Sequence, residues 1–149
     1  MSSVRKGGRT VRSTHELEQK IRSGKDPFLL DGEDFSPPEL ADYLHTILEA
    51  HGMTVIQAIQ RCNLDRSYGY QLFNGTRRPT RDILLDLAIH LGLPEAETQR
   101  LLKLAGRPVL YARNRRDAAI LYCLNHRLSH AEAEELLGGL GVEPLAAGV

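Results

Sequence analysis

Arg66, Ser67, Tyr70, Gln71 and Asn74 fall on one side of a helix placed over residues 65–74, and Arg77, Arg78 and Arg81 follow it closely. Amide, hydroxyl and guanidinium groups at this spacing can exchange hydrogen bonds with base edges, and the arginines suit phosphates. That is recognition chemistry, and the remaining reactive side chains form no catalytic constellation. His126 and His130 are four residues apart, but Ser129 reads as the start of a new helix between them. His45, His51 and His90 are scattered, with no cysteine or carboxylate expected at ligand spacing. The Gly7-Gly8 and Gly138-Gly139 pairs are too isolated to be a phosphate loop. The expectation is a protein that is not an enzyme and uses no metal or cofactor.

The elements that must hold the polar set can be read from their punctuation. Thr54 and Gln57 have the spacing of a capping box, so a helix should begin at Val55. Ala58, Ile59 and Cys62 are its inward positions. Asn63-Leu64 makes a turn, with Leu64 as an apolar plug. Asp65 can cap a second helix over Arg66 to Asn74, and Gly75 can end it in the left-handed conformation. Gly69 and Leu72 share the side of Leu64, and Phe73 lies at its edge. Gly69 costs this helix about 1 kcal/mol relative to alanine, which close packing by a neighbour would justify. Two short helices across a tight turn can present the second to the major groove of DNA.

At these residues the chain resembles the lambda-repressor-like (Xre-type) helix-turn-helix family of bacterial and phage regulators. The match runs through Ala58-Ile59, Leu64, Leu72, Gly75 and Pro79, then a helix with Leu84, Leu87, Ala88 and Leu91. It covers roughly residues 38–105, and the eleven-residue step from Leu64 to Gly75 accompanies a Gly-Thr-Arg-Arg-Pro exit. The resemblance implies an all-α fold: a five-helix lambda-repressor-like helix-turn-helix domain, here extended by a C-terminal helical hairpin. It implies a transcriptional regulator in which helix 65–74 reads the major groove of double-stranded DNA. Arg66, Ser67, Tyr70, Gln71 and Asn74 would meet the DNA, with Arg77, Arg78 and Arg81 on or near phosphates. A homodimer on a two-fold site would supply the affinity that a few phosphate contacts cannot.

The rest of the 149 residues divides around that unit. Residues 1–35 read as a basic flexible arm with a short helix over 13–22 and a linker, 36–110 as the DNA-binding domain, and 111–149 as a C-terminal hairpin and tail. Ser36-Pro37-Pro38-Glu39 predicts a cap and first turn. Leu40, Tyr43, Leu44, Ile47 and Leu48 then form a core-facing stripe. Lysine plus arginine equals aspartate plus glutamate at 19 each, so a strongly basic DNA binder is excluded. The charge is nevertheless segregated: residues 61–81 carry five arginines against one aspartate.

Residues 81–110 and 116–145 align without a gap at an offset of 35. Arg81-Asp82 matches Arg116-Asp117, Leu101-Leu102 matches Leu136-Leu137, Gly106 matches Gly141, and Leu110 matches Leu145. Each unit reads as a helical hairpin, and the second as a brace on the first. Arg113, Arg115 and Arg116 before the brace are suited to ion pairs with nearby acids or to the carbonyls of the preceding helix, and less well to phosphate.

A second reading keeps the fold as a non-catalytic protein-interaction module, antitoxin-like or a kinase-linked adaptor. Val55 and Ile56, Tyr68 and Tyr70, and the zero net charge motivate it, and the C-terminal hairpin is another partner surface. Cys62 and Cys123 sit on apolar helix faces as small buried thiols. With no membrane-length apolar run and no apolar leader, the expectation is a cytoplasmic protein.

Overall fold

A computed structural model describes residues 37–145, and all regular structure among them is helical. The elements are α1 (Pro38–Ala50), α2 (Val55–Arg61), α3 (Arg66–Asn74), α4 (Arg81–Leu91), α5 (Glu95–Leu104), α6 (Arg115–Asn125) and α7 (His130–Gly139). Five helices thus form the helix-turn-helix unit and two form the C-terminal hairpin. The expected N-terminal arm, the helix over 13–22, the linker and Ser36 lie outside the described residues.

α1 begins at Pro38 with Pro37 as its N-cap, at φ −59° and ψ 130°, and without a side-chain cap. The helix starts at Pro38 rather than Pro37 because Pro38 excludes the residue before it from the helical region. Leu40, Leu44, Ile47 and Leu48 are buried as the stripe requires, and Tyr43 packs half-buried against the same core. α2 has the expected reciprocal cap: the Gln57 amide donates to Thr54 Oγ1 and the Thr54 amide to Gln57 Oε1.

A single apolar cluster runs from Leu40 to Leu145. α1 packs on α3, α5 and α2, α2 packs on α4, and the C-terminal hairpin meets the rest through α4–α7 and α5–α6 contacts. The 35-residue repeat is therefore visible in space, but as an exchange. Arg81 binds Asp117 through both carboxylate oxygens, at 3.1 and 2.8 Å, and Arg116 binds Asp82 at 3.0 and 3.2 Å. Arg81 also donates to the carbonyls of Pro108 and Val109, and Arg116 to those of Glu143 and Pro144, 35 residues on. A translational array would link each unit to the next. Reciprocal pairing is instead the signature of a local pseudo-two-fold axis between the hairpins.

Candidate nucleic-acid interface

The carboxylate of Asp65 accepts the Tyr68 amide at 3.0 Å and so starts α3. Gly75 ends it at φ 83°, and a Cβ there would also lie 3.2 Å from that of Ala41 on α1. The ring of His45 donates to the Phe73 carbonyl at 2.8 Å, tying the last turn of α3 to α1. Gly69 lies against Ile59: a Cβ would sit 2.5 Å from Ile59 Cγ1. The glycine that weakens the helix is what lets α2 approach it.

Tyr68, Gly69, Leu72 and Phe73 form the buried side of α3. Phe73, expected at the edge, is fully enclosed. The opposite side presents Arg66, Ser67 and Tyr70 to solvent, with Gln71 and Asn74 half-buried beside them. The Arg66 guanidinium lies 5.9 Å from the centroid of the Tyr70 ring. Gln71 accepts from Arg77 Nη1 at 3.1 Å, and Arg77 also lies over the Tyr68 ring at 5.2 Å. Arg77 is thereby held beside the polar face of α3. Helices α1 and α2 support α3 from behind, and the C-terminal hairpin packs elsewhere.

The other two arginines are spent differently. Arg78 donates to the Ala105 and Gly106 carbonyls at 3.2–3.4 Å, closing the C-terminal end of α5. Arg107 returns the contact by donating to the Pro79 carbonyl at 3.0 and 2.8 Å. Burial and the nearby Arg78 charge lower the pKa of Arg107. Arg81 is committed to Asp117 and to the Pro108 and Val109 carbonyls. Its position in a basic run did not disclose that. Nothing local in the sequence marks Arg107 as the partner of a residue 28 positions earlier.

Of the residues that motivate a protein-contacting surface, Tyr70 on α3 is exposed and Ile56 on α2 is half-buried. Tyr68 is turned inward, only 7% exposed, and Val55 packs against the core. Of the pre-brace arginines, Arg116 makes the expected ion pair, with Asp82, whereas Arg115 donates at 3.0 Å to the Leu140 carbonyl at the end of α7 rather than to the helix before it. The hairpin also carries an apolar groove lined by Ala118, Ala119, Tyr122, Leu136, Leu140 and Arg115.

Ser129 begins a new helix with its own capping box, so His126 and His130 do not share a face. His90 does have a carboxylate at ligand spacing, contrary to expectation. Asp86 lies one turn before it on α4, and His130 joins both from α7. No helix among the described residues is long and apolar enough to cross a membrane.

No curated protein and no solved structure matches the chain. The family model described as a helix-turn-helix domain matches residues 39–101, from the start of α1 into α5, and that segment is a helix-turn-helix domain.

Proposed function

We propose that the chain is a sequence-specific transcription regulator of the lambda-repressor-like (Xre-type) kind. In this reading it is a bacterial, cytoplasmic protein without catalytic activity that inserts α3 into the major groove of double-stranded DNA. The carrying observation is the exposed row Arg66, Ser67 and Tyr70, continued by Gln71 and Asn74, on a helix whose other side is sealed into the core. Gln71 is suited to the donor and acceptor edge of adenine, Arg66 to guanine or a phosphate, and Arg77 to the backbone. Arg78 and Arg81 act indirectly, by fixing the exit from the motif.

One α3 helix reads only a few base pairs, so a homodimer supplies the remainder. The groove on the C-terminal hairpin is the surface we assign to the second copy. Of the repeat-equivalent positions in the first hairpin, Ile83, Leu84, Leu87, Leu101 and Ala105 are buried and Thr80 is exposed. There α1 packs on α5 and α2 on α4. Among the described residues the second hairpin has no corresponding cover, and Tyr122 and Leu140 are 51% and 38% exposed. A self-complementary apolar patch of this kind is what a two-fold interface uses.

Selection of bound sequences from randomised duplex DNA at low salt tests this reading. The expected outcome is an enriched palindrome whose half-sites lie about one helical turn apart, bound with strong salt dependence. A pool that stays random after selection contradicts it.

A further inference from the structure

We infer that Asp86, His90 and His130 form a binding site for one divalent transition-metal ion, of which Zn2+ is the best match, clamping α7 to α4. Asp86 and His90 are four residues apart on one face of α4, and His130 opens α7. His130 Nε2 lies 2.5 Å from one Asp86 oxygen and His90 Nε2 3.4 Å from the other. The three donor atoms lie within 4.8 Å of one another. Glu134, one turn along α7, reaches within 3.6 Å of His130 Nε2 and can serve as a fourth ligand. Two imidazoles with carboxylate oxygens suit a borderline ion better than Mg2+ or Ca2+, which favour oxygen alone.

The pseudo-two-fold axis supplies the control that sets this cluster apart. His90 and His130 correspond, at the offset of 35, to Asn125 and Glu95. At that other end of the helix pair Asn125 donates to Glu95 at 2.9 Å, so a plain hydrogen bond is enough to hold the helices. Asp86 corresponds to Leu121, so leucine meets the packing need there. Burying a carboxylate to 4% exposure costs free energy unless a cation or strong donors compensate it. Among the described residues its ion-pairing partners are the two imidazoles, stacked at 3.8 Å and 9° from parallel. A dication would neutralise the carboxylate and accept both rings as neutral ligands.

Ligand atoms about 2.0–2.1 Å from zinc stand roughly 3.3 Å apart in a tetrahedron. The His130–Asp86 contact must therefore open by several tenths of an ångström, and the rings must splay for their lone pairs to converge. Both imidazoles are partly exposed, at 17% and 28% of their side chains, and can make that movement.

The test titrates Zn2+ calorimetrically, and Co2+ as a spectroscopic and paramagnetic probe, into the tag-free full chain after treatment with chelator. One equivalent should bind, with paramagnetic shifts at the rings of His90 and His130 and not at that of His126. The triple substitution Asp86→Leu, His90→Asn, His130→Glu rebuilds the other end of the helix pair, and should weaken binding at least a hundredfold. His90→Asn alone should weaken it about tenfold. Absence of saturable binding at millimolar ion overturns the inference. So does binding whose strength is unchanged in these variants, or shifts that fall on other histidines.

Discussion

Arg81 grips Asp117 through two hydrogen bonds, and Arg116 grips Asp82 in the same way. These residues occupy equivalent places in two hairpins, yet the two clasps are not equal. Asp117 has a side chain 7% exposed and also accepts the Tyr111 amide, whereas the side chain of Asp82 is 36% exposed. Loss of Arg81 would strand a buried charge. Arg81→Ala should therefore lower stability by about 3–5 kcal/mol. Arg116→Ala should cost about 1 kcal/mol, because water can solvate the abandoned Asp82. Denaturant midpoints of the two variants measure this, and equal losses would contradict the assignment.

Gly69→Ala pits helix propensity against packing. Alanine gains about 1 kcal/mol in a helix interior. The new methyl, however, would lie 2.5 and 2.8 Å from Ile59 Cγ1 and Cδ1. Overpacking of this kind costs about 1–3 kcal/mol, so the variant should be less stable despite its propensity. Combined with Ile59→Ala, the losses should add to less than their sum, by about 1 kcal/mol or more. Thermal unfolding of the four proteins provides the cycle.

Burial, reinforced by the Asp86 charge, pushes the Cys62 thiol up to about 12 from the usual 9. The folded chain then holds this proton more tightly than the unfolded chain. Its contribution to stability is complete below pH 9 and is lost as pH rises from about 9 to 12. Over that window this group alone should remove up to about 1.4 kcal/mol per pH unit. The difference in stability between the native chain and Cys62→Ala, followed from pH 8 to 11, isolates the effect from other ionisations. The same proton retention predicts a Cys62 that resists alkylation in the folded protein.

The groove beneath Tyr122 and Leu140 should govern assembly. Leu140→Glu places a charge on the apolar surface that two copies would share, and should shift the chain to a monomer in sedimentation. Its helical content should be unchanged, because Leu140 is already 38% exposed. DNA affinity should fall by an order of magnitude or more as one half-site is abandoned. A variant that sediments like the native chain and binds equally well would remove the groove from the assembly.

Local chemistry made much of this architecture legible. Thr54 with Gln57, Asp65 and Gly75 each act within a few residues of themselves, so their caps and the bounds of α2 and α3 follow from spacing. Gly69 was intelligible as a close approach, although only the fold supplies Ile59 as the neighbour. The repeat was visible as matched residues, but the matched list is the same for a translation and a two-fold exchange. Arg81 could therefore not be assigned to Asp117. Charge along the chain likewise gives no direction: Arg77 and Arg78 are adjacent, yet one turns to Gln71 and the other to the end of α5. The Asp86–His90–His130 cluster was hidden because its third member comes from another helix, 40 positions after His90.

If the exposed side of α3 reads bases, Gln71 is the residue whose loss should show it. A duplex obtained by selection should be substituted at each base pair in turn and bound by the native chain and by Gln71→Ala. The variant should lose about 1–3 kcal/mol of discrimination at one base pair in each half-site. Its preferences elsewhere, and its salt dependence, should be retained. Identical preference profiles for the two proteins at every position would contradict it.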